Sequence, residues 1–249
     1  MAVTLEQIYA DYETLSKIGK DDFASNIGVY KNFLRALKGG PQERRLAAQF
    51  LSKFLPNYPE LTDEVVNNLI DLLENEDVAI RKQGVVELTS CCKTNPSLCA
   101  KVSDVFTQLL VTVDAAERTL LSNSLLTLFK LDPKGTLAGI FTQIIQGDDE
   151  VRHNSIKFVS QRLISLPADT WKGEIGDQMV EFCNKTLMGD CALDEFVGIV
   201  KVMANMPSLS SLTGRQQLVE TIADAAQLTQ TFDVIFFINL MENSFTFLF

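Results

Sequence analysis

The sequence predicts an all-α fold, a right-handed α-solenoid of about twelve helices in antiparallel pairs. Three observations carry this. Long segments place apolar residues at three- and four-residue spacing, no long alternating run marks a half-buried strand, and a block of nearly constant length recurs. The 7 prolines (Pro41, Pro56, Pro59, Pro96, Pro133, Pro167, Pro207) fall where segments should break, at helix starts or interhelix turns.

Four segments align: "FLRALKGGPQERRLAAQFL" from Phe33, "LIDLLENEDVAIRKQGVVEL" from Leu69, "FTQLLVTVDAAERTLLSNSL" from Phe106 and "FTQIIQGDDEVRHNSIKFV" from Phe141. Each has an apolar helix end, a short acidic or Gly-containing turn, then an arginine. Those arginines are Arg44, Arg81, Arg118 and Arg152, in steps of 37, 37 and 34 residues. Asp77, Asp114 and Asp148 precede the last three by four residues. Four residues beyond each arginine stand Ala48, Val85, Ser122 or Ile156; seven beyond stand Leu51, Leu88, Leu125 or Val159. These small or apolar residues make an inward stripe on the second helix of each unit. Two helices in a period of this length read as stacked helical hairpins close to HEAT repeats. Each Asp should cap free backbone N–H groups at a helix start. Each Arg, one turn later, should reach the Asp of the neighbouring unit and fix the stacking register. The stretch Thr4–Lys38 should form the capping hairpin, with Glu6, Gln7, Asp11 and Glu13 on its outer face, and Thr213 should cap the last amphipathic helix.

The 249 residues are 46% hydrophobic, enough for a sizeable core and against disorder. A net charge of −10 disfavours non-specific nucleic-acid binding and suits a basic protein partner. Five cysteines (Cys91, Cys92, Cys99, Cys183, Cys191), no C-x-x-C and no secretory leader pattern point to buried, reduced thiols.

No catalytic, cofactor or metal constellation is expected. The single histidine, His153, follows Arg152 at a helix start and reads as a packing or solvent-facing residue. No phosphate-binding glycine motif occurs; Gly39-Gly40-Pro41 is an ordinary interhelix turn. "LIDLL" (69–73) has receptor-docking spacing, but its leucines belong to the inward stripe. The acidic turns "ENED" (74–77), "GDDE" (147–150) and "GDCALDE" (189–195) should line one rim. The residues expected to meet a basic partner are Asp148, Asp149, Glu150, Asp190, Asp194 and Glu195.

The stretches "KGGPQERRLAAQFLSKF" (38–54), "ENEDVAIRKQ" (74–83), "DPKGTLAGIFTQIIQGDDEVR" (132–152), "IKFVSQRL" (156–163) and "TGRQQLVE" (213–220) resemble the apoptosis inhibitor 5 family, also called the antiapoptosis clone 11 family. The resemblance runs collinearly from about Leu5 to Asp233. It implies a HEAT-like half of an all-helical, non-enzymatic protein–protein scaffold that opposes apoptosis, with fibroblast growth factor 2 and Acinus as family partners. It also implies a nuclear location. The family's second helical domain, its zipper-like region and its basic tail with the nuclear localisation signal have no counterpart here, so a cytoplasmic location is expected too. A second expectation is a HEAT-type adaptor in nuclear transport or RNA processing with only an indirect effect on cell death. The domain reading is 1–233 for the repeats and 234–249 for a non-homologous hydrophobic tail. That tail, "VIFFINLMENSFTFLF", is shorter than the roughly twenty residues of a bilayer span and reads as a substituted end rather than an anchor.

Overall fold

The computed structural model describes residues 3–19 and 22–226. These form twelve α-helices: α1 (Leu5–Lys17), α2 (Ile27–Ala36), α3 (Pro41–Phe54), α4 (Thr62–Asp71), α5 (Val78–Thr94), α6 (Cys99–Gln108), α7 (Ala115–Leu131), α8 (Pro133–Gln146), α9 (Asp149–Gln161), α10 (Glu174–Leu187), α11 (Leu193–Ala204) and α12 (Leu212–Ala225). No strand occurs among the described residues. They divide into two compact units at Ile140/Phe141, within α8. The hydrophobic tail lies outside the described residues.

The helix starts follow from capping chemistry. Asp77, Asp114 and Asp148 hold extended backbone and accept from the N–H groups of Ala79 (2.8 Å), Glu117 (2.6 Å) and Val151 (2.9 Å), opening α5, α7 and α9. Replacing Asp77 with alanine is expected to cost about 1 kcal/mol, a fall of roughly 2–4 °C in melting midpoint by circular dichroism. An unchanged midpoint would show that the cap contributes nothing. At α12 the cap is Ser211, whose Oγ accepts from Gly214 N at 3.0 Å. Thr213 cannot cap, because the helix opens at Leu212 and Thr213 is already inside its first turn. Pro41 and Pro133 open α3 and α8, while Pro56, Pro59, Pro96 and Pro207 lie in short 3₁₀ turns that re-aim the chain between helices.

In the first unit α1, α3, α5 and α7 pack side by side as one layer. Helices α2, α4 and α6 lie against them as hairpin partners of α3, α5 and α7. The stripe is buried at Ala48, Leu51, Val85, Leu88 and Leu125. In α7 the earlier inward position falls to Leu121, while Ser122 is half-buried and donates to Arg118 O. Leu69, Leu72 and Leu73 of "LIDLL" are all core residues. Tyr30 stacks on Tyr58 with centroids 4.2 Å apart, and its hydroxyl donates to Leu51 O at 2.8 Å, tying α2 to α3.

One polar residue of the terminal hairpin faces inward. Asp11 is buried, where its carboxylate accepts from Gln7 Nε2 (2.8 Å) and from Asn32 Nδ2 of α2 (3.0 Å). Glu6, Gln7 and Glu13 stay outside. Asp11 can be buried because both carboxylate oxygens have donors.

In the second unit α9 packs on α11, and α10 and α12 pack against α11 and each other. Phe141 stacks on Phe182 at 3.6 Å, and Trp171 seals the turn before α10.

Candidate partner-binding rim

The rim is built at the N-termini of the capped helices. In the first unit, Arg81 forks onto Glu117 of the next repeat: Nε donates to Oε1 at 2.7 Å and Nη2 to Oε2 at 2.9 Å. Its Nη1 donates to the carbonyls of Asn75 (2.9 Å) and Glu76 (3.2 Å). Glu117 Oε2 also accepts from Thr112 Oγ1 at 2.7 Å. Lys82 Nζ, the adjacent cation, stands 3.6 Å from Asp114 Oδ1. The inter-repeat partner of the arginine is therefore the glutamate three residues after the capping Asp, not the Asp itself. Asp114 is short and committed to its own helix N-terminus; Glu117, one turn deeper, offers two oxygens to a planar guanidinium. The Arg81 fork holds the Glu117 carboxyl below the usual range, against the opposing effect of burial. The Glu117 N–H, and secondarily Lys82, do the same for Asp114.

The second unit repeats the arrangement. Arg152 Nε donates to Glu195 Oε2 at 3.1 Å, its Nη1 to Ile144 O at 3.0 Å and its Nη2 to Asp190 O at 3.3 Å. His153 Nδ1 lies 3.0 Å from Asp194 Oδ2. In each unit an arginine and the residue after it thus meet two acids of the next helix start. Two arginines depart from this. Arg118 donates through Nε (3.1 Å) and Nη2 to Thr112 O in its own turn. For Arg44 the position that corresponds to Glu117 in sequence is Ile80, which has no acceptor, and the buried Arg44 Nε has no hydrogen-bond partner.

These contacts sort the acidic residues. Glu195 is not a surface residue: its side chain is 7% exposed, because it is spent on Arg152 and on the N–H of Ala192 (3.4 Å). Asp148 is exposed but caps α9, and Asp194 is 61% exposed while holding His153. Asp149, Glu150 and Asp190 are exposed, and among the described residues their carboxylates are in no ion pair. Ile145, Met188 and Leu193 stand exposed in the same turns. The rim of this unit therefore offers free carboxylates beside apolar side chains, the mixture that a basic protein surface can engage.

Nothing in the thiols competes with this reading. Cys91, Cys92, Cys99 and Cys183 are buried, and burial pushes Cys91 and Cys183 up to about 12, far from a reactive thiolate. Among the described residues no cluster of three or more His, Cys, Asp or Glu could hold a metal ion. No described helix is long and apolar enough to cross a membrane.

Capped hairpins stacked in register, with the second helices side by side, define an all-α helical-repeat protein. The chain belongs to the apoptosis inhibitor 5 family: the family model described as Apoptosis inhibitory protein 5 (API5) matches residues 5–247, past Asp233 where the sequence resemblance is expected to end. Apoptosis inhibitor 5 of Homo sapiens is 42% identical over 230 residues, covering 92% of this chain and 43% of the relative. Apoptosis inhibitor 5-B of Xenopus laevis is also 42% identical, over 92% and 43%. The Drosophila melanogaster homolog is 35% identical, over 91% and 42%. The chain thus spans less than half the length of the curated relatives it matches. Among solved structures, a designed armadillo repeat protein is similar over 86% of this chain and 98% of its own, with 14% identity and a TM-score of 0.40.

Proposed function

We propose that this chain is a non-enzymatic scaffold that restrains apoptosis by holding partner proteins. The rim of the second unit is its docking surface for a basic partner, and fibroblast growth factor 2 and Acinus are the candidates that the family suggests. The observation that carries the reading is the division of the acids. Glu195 and Asp148 maintain the helix starts, whereas Asp149, Glu150 and Asp190 spend their charge on no other residue and sit beside exposed Ile145 and Met188. Such a surface works by occupancy. It attracts a cationic partner electrostatically and then buries apolar contact area, with no bond made or broken. Action in the nucleus or the cytoplasm would follow where the partner is held.

The test is calorimetric titration of fibroblast growth factor 2 into the chain and into an Asp149→Lys/Glu150→Lys/Asp190→Lys variant. Affinity should fall by roughly 100-fold, and the unaltered complex should weaken with added salt. The melting midpoint of the variant should fall by no more than a few degrees: none of the three side chains is in an ion pair, but Asp149 and Glu150 stand in the first turn of α9, where each reversed charge costs about 0.3–1 kcal/mol. Equal affinity for both proteins would remove the rim as the docking surface.

A further inference from the structure

A second, oppositely charged surface lies in the first unit. Residues 23–42 carry three cations, Lys31, Arg35 and Lys38, and no acid, in a chain of net charge −10. Spaced four and three residues apart on α2 and its C-terminal turn, they share one side of the helix. All three line a groove of about 680 Å³ whose other walls include Leu34, Val3 and, from α4, Glu64. Some lysines on other helices answer nearby acids: Lys17 pairs with Glu13, Lys82 with Asp114, Lys172 with Asp169 and Lys185 with Glu181. Here the cations are not neutralised. Among the described residues Lys31 and Lys38 are in no ion pair, and Arg35 donates only to Asn32 Oδ1, at 3.0 Å.

We propose that the groove between α2 and α4 docks an acidic peptide segment of a partner protein. Two or more of its carboxylates would meet Lys31, Arg35 and Lys38, and an apolar side chain would lie against Leu34 and Val3. Charge complementarity names the class of ligand: three cations against the single acid Glu64 in a concave site on an acidic protein concentrate anions. The walls favour peptide over nucleic acid. A phosphate backbone needs a continuous cationic track, but the cations here end at Lys38 and the groove's lining includes the acid Glu64. The site does not depend on the acidic rim.

The experiment is fluorescence anisotropy with the full chain and two labelled probes, a short peptide of glutamates and leucines and a single-stranded RNA of similar length. The peptide should bind in a salt-sensitive manner. A Lys31→Glu/Arg35→Glu/Lys38→Glu variant should bind it about tenfold more weakly or worse, and the Asp149→Lys/Glu150→Lys/Asp190→Lys variant should bind it unchanged. A milder Lys31→Ala/Lys38→Ala variant should lose several-fold, which covers the case of a reversal variant that fails to fold. Three results would each overturn the proposal: no peptide binding at millimolar concentration, equal affinity for the groove variants, or binding of RNA in preference to peptide.

Discussion

Arg81→Ala is expected to destabilise the first unit by about 2–3 kcal/mol, lowering its melting midpoint by roughly 4–10 °C. The change removes both prongs of the fork onto Glu117 and the bonds to the Asn75 and Glu76 carbonyls. It leaves Glu117, 5% exposed, with the Thr112 hydroxyl as its remaining side-chain donor. Removing one partner of a fully buried pair costs about 3–5 kcal/mol, and the 22% exposure of Arg81 discounts that figure. Arg118→Ala is the control. Arg118 bonds only its own turn, so its loss should cost about 1 kcal/mol or less. The pH dependence has a definite sign. Because the fork holds the folded-state carboxyl of Glu117 below its unfolded value, the pair's contribution is complete above an unfolded value of about 4.3 and is lost as pH falls through the folded one. The gap in stability between the unaltered chain and Arg81→Ala should therefore narrow below about pH 4. Equal losses for Arg81→Ala and Arg118→Ala would contradict the ladder as described.

Gly139→Ala is expected to destabilise by about 2–3 kcal/mol, although the same change at an exposed helical site stabilises by up to about 1 kcal/mol. A methyl group on Gly139 of α8 would stand 2.5 Å from Asp104 N and 2.6 Å from Ala100 O of α6. Those are backbone atoms of a neighbouring helix, so relief requires the two helices to separate and gives up buried contact along both. Gly28 of α2 is the reference, since an added methyl there meets nothing within 4 Å. Gly28→Ala should raise the melting midpoint by up to roughly 4 °C, and Gly139→Ala should lower it by about 4–10 °C. Thermal denaturation of the two variants side by side decides the matter; a rise in both would mean that α6 and α8 are not in close contact.

Much of the fold was legible because each repeat carries local chemistry that acts on its own residues. Asp77, Asp114 and Asp148 cap because a short carboxylate just before a helix can do little else, and the buried stripe at Leu51, Leu88 and Leu125 follows from helical periodicity. What escaped depends on reach and on the path between helices. Sequence spacing points to the capping residues rather than to the ladder acceptors Glu117 and Glu195. Their signal was an acid three residues after the cap of α7 and α11, which in isolation reads as helix-start stabilisation. Glu195 reads as a rim residue because nothing in "GDCALDE" says that Arg152, more than forty residues earlier, will draw it inward. Asp11 looked like solvent-facing charge, since its donor Asn32 comes from another helix. The 3₁₀ turns around Pro56, Pro59 and Pro207 aim successive helices by tertiary packing and left little local trace beyond the prolines. The basic groove was hidden because Lys31, Arg35 and Lys38 look like an ordinary solvated stripe until α4 supplies the second wall.

We propose a division of labour on one rim, with some acids holding repeats together and others free for a partner. It is tested most directly by measuring melting midpoint and affinity for fibroblast growth factor 2 on Glu195→Gln and on Asp149→Lys/Glu150→Lys/Asp190→Lys. The expected result is a contrast in binding: Glu195→Gln melts several degrees lower, by about 1–2 kcal/mol, and binds as before, while the triple variant loses roughly 100-fold in affinity and melts lower only by the cost of two lysines in the first turn of α9, about 0.3–1 kcal/mol each. The reverse pattern, with Glu195→Gln abolishing binding at unchanged stability, would contradict it.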